Sequence, residues 1–177
     1  MQFETMKDVL LVELKDLYSV EKQLVRALPW MAAAAYSSKL RDSIEFHLTQ
    51  TDDQLERLER IFSIFGETPG LRRCKPIETL IEQSLESAGE TTDPILRDAV
   101  SLAFAQKIEL YEIAGYHASL TFARVLGLNK VSELLQATLS EEIGASAKLA
   151  EVARCMIQSQ EEEPADSSIV VATAITG

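Results

Sequence analysis

Leu10, Leu14, Leu17, Leu24 and Leu28 recur at steps of three, four and seven, which places all five on one face of an α-helix. Three more stretches of the chain carry the same kind of stripe. Leu40, Ile44, Leu58, Ile61 and Phe65 mark the second; Ile95, Ala99, Leu102, Ile113, Tyr116, Leu120 and Ala123 the third; Val131, Leu135, Leu149, Val152 and Met156 the fourth. A helix with one apolar face must bury it, and four of them bury their faces most simply against one another.

Boundary signals agree with the stripes. Thr5 and Asp8 suit the N-terminus of the first helix, and Pro29 is expected to kink or end it, with Trp30 as a packing anchor at the corner. Met31 to Ala35 could nevertheless carry the first helix onward for a turn; Ser37-Ser38 offers a second start and Gly66 a stop. Pro69-Gly70, Lys75-Pro76 and Gly89 punctuate a crossover with room for one short helix around Ile77 to Ser87. Asp93-Pro94 opens the third long helix, Gly127 closes it, and Asn129 caps the fourth. The expected fold is all-α: a four-helix bundle of ferritin-like connectivity, with a crossover carrying a short helix between its second and third long helices. Residues 1–159 would form the bundle. Residues 160–177, which include the Glu161–Glu163 run, Pro164 and the apolar Ile169-Val170-Val171, would form a C-terminal tail.

Charge narrows the function classes. Against 17 Lys and Arg stand 28 Asp and Glu, a net charge of −11, which disfavours nucleic acid and anionic membrane surfaces as partners. No apolar run reaches the length of a membrane span, and Met1-Gln2-Phe3-Glu4 does not resemble a leader. Two cysteines cannot build a disulfide framework, so a reducing, cytoplasmic setting is expected.

Some of the acidic residues fall where leucines belong. The first stripe is interrupted by Glu21; the second by His47, Thr51 and Gln54, with Gln50 and Asp53 nearby; the third by Gln106, Glu109 and Glu112; the fourth by Thr138 and Glu142. With hairpin turns near residues 34–37 and 127–128, these interruptions meet at one depth. Burying several carboxylates without compensation costs several kcal/mol per ion. A hard divalent cation is one solution, with Glu21, Glu109, Glu112 and Glu142 as ligands and His47, Gln50 or Asp53 completing the sphere. Pairing with Lys22, Lys107 or Lys148 is a second solution. A third is a hydrogen-bonded network of partly protonated carboxyls held by Tyr18, Tyr111, Tyr116, His47 and the glutamines.

Asp16-Leu17-Tyr18-Ser19-Val20-Glu21-Lys22-Gln23-Leu24 resembles the first-helix signature of the YciE/YciF family of bacterial ferritin-like proteins. His47-Leu48 with Thr51, Arg73-Cys74, Gln106-Lys107-Ile108-Glu109, Tyr111-Glu112-Ile113-Ala114 and Thr138-Leu139-Ser140-Glu141-Glu142 extend the likeness over residues 5–157. The resemblance implies a stress-response protein, a homodimer, and a site for iron or manganese, of one or two ions, inside the bundle. Iron oxidation or peroxide reduction is the chemistry such a site would support. Glu21, Glu109, Glu112 and Glu142 match the family's acidic positions. Gln50 and Ser146 replace acidic residues of the pattern and Leu110 replaces a histidine, which lowers the charge available to metal. A metal-free structural or interaction bundle is the alternative that these replacements suggest.

Two isolated features complete the reading. His117 is expected to pack or face solvent. Arg72, Arg73 and Lys75 around Cys74 could lower its thiol pKa modestly, but a structural or surface thiol is the expected role.

Overall fold

Thr5 and Asp8 open the first helix with a reciprocal capping box: Asp8 N–H donates to Thr5 Oγ1 at 3.2 Å and Thr5 N–H donates to Asp8 Oδ2 at 2.8 Å. In the computed structural model, which describes residues 3–70 and 72–161 (side chains through 156), this helix is α1, Met6–Ala34. It is followed by α2 (Ser38–Phe65), α3 (Lys75–Gly89), α4 (Pro94–Val125) and α5 (Asn129–Glu161), and no strand occurs among the described residues. The boundary expected at 159 falls inside the last turn of α5. Ile169-Val170-Val171 lies outside the described residues.

The long helices pack in a ring: α1 against α2 and α4, and α5 against α4 and α2. The short α3 lies on α4 and α1. Gly66 and Gly127 end α2 and α4 with φ of 66° and 69°, a left-handed conformation that side chains resist. Where α1 and α4 approach, Gly115 packs against Leu17, whose side chain would have to shift for a Cβ that would sit 2.9 Å from its Cδ2.

Two expectations change. Trp30, 75% exposed, is not a packing anchor; α1 runs on past Pro29 for the further turn that Met31 to Ala35 allow, with Met31 and Ala32 buried. Ile95 and Ala99 are exposed rather than inward. The buried place on that turn belongs to Asp98, whose carboxylate accepts Tyr36 N–H at 2.9 Å and Ser37 N–H at 2.6 Å. That bond satisfies backbone donors at the start of α2 from a neighbouring helix.

The core is divided. One apolar cluster joins Val20, Leu24 and Leu28 to Leu40, Ile44, Leu102, Ile108 and Leu149. A second joins Leu10, Leu14 and Leu17 to Leu58, Phe62, Tyr116, Leu120 and Leu135. Between them along each helix lies a polar layer.

Candidate metal centre

Each long helix contributes to that layer through residues on its inward face. Glu21 comes from α1; His47, Thr51 and Gln54 from α2; Glu109 and Glu112, three residues apart, from α4; Thr138 and Glu142 from α5. All are buried, with Glu21, Glu112 and Glu142 at 0% exposure.

His47, Glu109, Glu112 and Glu142 each place a ligand atom within 4.8 Å of all the others. His47 Nε2 lies 3.6 Å from Glu109 Oε1 and 3.9 Å from Glu112 Oε2, too far for hydrogen bonds and close enough to share a cation. Glu21 sits beside this set without belonging to it, and Tyr116 Oη–H donates to Glu21 Oε1. Gln50 is half-buried at the α2–α5 face, with its Oε1 buried and unpartnered. Asp53 is exposed and takes no part in the cluster, because on that turn the inward position belongs to Gln54.

Burial governs the electrostatics. It raises Glu109 to about 10 and Glu142 to about 7, and Glu142 next to Glu109 adds to the shift of Glu109. Burial, followed by repulsion from Glu142, pushes Glu112 and Glu21 well above the ordinary carboxyl value. It pulls His47 down to about 4, so at neutral pH the imidazole is uncharged and its lone pair is available to a metal.

Lysine does not compensate these charges. Lys22, Lys107 and Lys148 lie over the rings of Tyr18, Phe104 and Phe46 instead. Of the expected hydrogen-bonded network, the part within the layer is Glu109 and Gln54 bonded to the Glu142 carboxylate, with little from the tyrosines. Tyr18 donates to Glu59 at 3.1 Å and Tyr111 to Asp16 at 2.6 Å, which leaves Tyr116 as the tyrosine bonded within the layer. Arg57 engages Glu141, at 2.5 and 2.7 Å, and not Glu142.

The result is a concentration of unpartnered atoms. Among the described residues, buried side-chain atoms without a hydrogen-bond partner include Glu21 Oε2, both His47 nitrogens, Gln50 Oε1, Gln54 Oε1, Glu109 Oε2 and both oxygens of Glu112, together with the Glu142 oxygens wherever Glu109 has lost its proton to donate. The remainder are the Ser43, Ser119 and Ser132 hydroxyls. Buried polar groups in folded proteins are almost always satisfied, so this donor set fits a hard cation.

Elsewhere, His117 is exposed as expected. Cys74 is buried, and burial pushes its thiol pKa up instead of down. Its neighbour Arg73 is drawn to Glu78 at 2.9 Å, while Cys74 Sγ lies 3.4 Å from Asp16 and 3.3 Å from the Tyr111 hydroxyl. Thr51, Gln54 and Thr138 were visible in the stripes as polar interruptions. Spacing alone gave no means of ranking them as supports rather than ligands.

Comparison with known proteins supports the expected family. The model of a family described as "Domain of unknown function (DUF892)" matches residues 5–162. Protein YciF of Escherichia coli K12 is 39% identical over 154 residues, covering 86% of this chain and 93% of YciF. The crystal structure of the E. coli stress protein YciF superposes with a TM-score of 0.84 at 37% identity, over 88% of this chain and 99% of that one. YcfI of Rhodopseudomonas palustris, for which a structural role has been suggested, matches with a TM-score of 0.80 at 38% identity, over 83% and 94% of the two chains. A Xanthomonas campestris protein at 21% identity shares the fold, with a TM-score of 0.70 over 89% and 97%.

Proposed function

The chain belongs to the DUF892 family, and from its own buried carboxylates we propose that it is a ferritin-like four-helix bundle that holds iron or manganese in its polar layer, in the service of a bacterial stress response. The observation that carries this reading is the convergence of partnerless buried oxygens and nitrogens from three helices on one point. Likeness to a stress protein supports the physiological setting.

Neutral His47 would offer a ring nitrogen, and Glu109, Glu112 and Glu142 their carboxylates. The spread of these atoms, up to 4.8 Å, is slightly wider than the ~4.2 Å between opposite ligands about 2.1 Å from a single ion. The cluster therefore matches one ion after a contraction of tenths of an ångström. Glu21, with Oε2 unpartnered and Oε1 bonded by Tyr116, would help hold a second. Iron or manganese there would supply one-electron chemistry toward dioxygen or peroxide. The apolar clusters on either side keep bulk water from the layer.

Metal analysis of protein purified without chelators, with melting curves in added Mn²⁺ or anaerobic Fe²⁺, tests the reading. About one ion per chain and a raised melting temperature are expected. No bound metal together with no thermal shift overturns it.

A metal-free structural bundle is the second reading, favoured by the Tyr116–Glu21 bond and by Gln50 and Ser146 standing where acids are usual. Under it, Glu109→Gln and Glu142→Gln alter stability and remove no metal-dependent property. A cytoplasmic homodimer is part of the proposal; light scattering on the purified chain tests the dimer.

A further inference from the structure

The cluster is sealed by apolar packing above and below, so any ion or small reactant must enter from the side. Two adjoining cavities lie on one side, the outer between α2 and α5 and the inner reaching in to α1 and α4. A surface depression of about 390 Å³ is lined by Phe46, Gln50, Glu141, Gly144, Ala145 and Lys148. Beneath it, a narrow cavity of about 20 Å³ ends against His47 and Glu109. The two share Phe46, Ala145 and Lys148 as common walls.

These volumes differ in use. The inner cavity has room for a single water, which needs about 10–15 Å³ by this kind of measure. The outer one is open, with Gln50 in its wall, while the Gln50 Oε1 itself is buried and unpartnered. At the junction, the Phe46 ring is 52% exposed and Lys148 Nζ lies 4.5 Å from its centroid. A cation–π contact at an exposed site is weak, so the pair can part on a fast timescale. The small side chain of Ala145 is what leaves the inner cavity open.

We infer that the α2–α5 face is the entry path to the buried cluster, closed by the Phe46–Lys148 pair and limited by Ala145 to bare ions and molecules of water or peroxide size. This rests on the metal reading above and specifies its route and the size class it admits.

Uptake of Mn²⁺ by the metal-free full chain, followed as loss of the free-ion EPR signal, separates route from site. Phe46→Ala should speed uptake several-fold and Ala145→Leu slow it at least tenfold, with final occupancy within twofold of the parent in both. Lys22→Ala, on the far side at the α1–α3 groove, should leave the rate unchanged. Should Ala145→Leu fail to fold, Phe46→Ala still decides, because its side chain is at the surface. Unchanged rates at full occupancy overturn the path and leave the metal site standing. No uptake by the parent chain overturns the site and the path together.

Discussion

Tyr116 of α4 donates its phenolic hydrogen to Glu21 Oε1 of α1, joining two side chains that are both wholly buried. Burial pushes the Tyr116 hydroxyl well above its ordinary value, and the neighbouring Glu21 adds to that, so the phenol remains a donor at every physiological pH. Tyr116→Phe keeps the ring in its apolar cluster and removes only the donor. Both oxygens of Glu21 are then unpartnered, at a cost of about 1–3 kcal/mol. Urea denaturation of Tyr116→Phe, Glu21→Gln and the double variant should give a coupling energy of at least ~0.5 kcal/mol. Additive effects would show that the bond contributes nothing.

The metal-free chain should lose stability as pH rises. Glu109 keeps a proton to about pH 10 when folded and releases it near 4.5 when unfolded; Glu142 does so to about 7. In those windows the folded state binds more protons, so unfolding becomes easier with rising pH, by up to about 1.4 kcal/mol per unit for each proton. Glu21 and Glu112 act in the same direction. His47 acts oppositely between about 4 and 6.5, where the unfolded chain takes the proton that the buried imidazole refuses. The carboxyls outnumber it. Denaturation in EDTA between pH 5 and 8 should therefore show a net decline, whereas added Mn²⁺ should protect more as pH rises, because its ligands must shed protons. A flat profile in EDTA would contradict this assignment of buried protons.

Asp98 offers a test remote from the cluster. Its two bonds to Tyr36 and Ser37 backbone N–H groups tie the start of α2 to α4. Asp98→Ala leaves those donors unsatisfied in a buried setting and should cost about 1–3 kcal/mol, with metal stoichiometry unchanged. Asp98→Asn, which keeps an accepting oxygen, should recover part of the loss. Equal stability of all three chains would mean that water satisfies the turn.

Asp98 also shows where reading the sequence falls short. The stripes located all four long helices and, through Glu21, His47, Glu109, Glu112 and Glu142, the depth of the polar layer, because a polar residue at a core position breaks a period that is otherwise regular. The same rule looks for apolar residues and so does not pick out Asp98, and a stripe phased on Ile95 and Ala99 turns the helix start outward. Asp53 was overvalued for the converse reason: carboxyl chemistry suggested a ligand, while a one-residue step along α2 separates it from inward Gln54. The distances that distinguish Glu21 from the four-residue set depend on the packing of four helices and are not written in any one of them.

Glu112 separates the requirements of binding from those of folding. It is wholly buried with both oxygens unpartnered, so without metal its carboxyl is a liability for the fold. Replacing a buried ionisable cluster with well-packed apolar side chains is often stabilising, by about 1–4 kcal/mol. Glu112→Leu, close in volume, should therefore raise the melting temperature of the metal-free chain by several degrees. The same change removes one of three carboxylates from the cluster and should abolish the thermal shift produced by Mn²⁺. A Glu112→Leu chain that melts lower than the parent in EDTA would mean that the carboxyl is satisfied within a protonated network, and would favour the metal-free reading. A higher melting temperature coupled to loss of the metal response would mean that the chain retains an unfavourable carboxylate for what it binds.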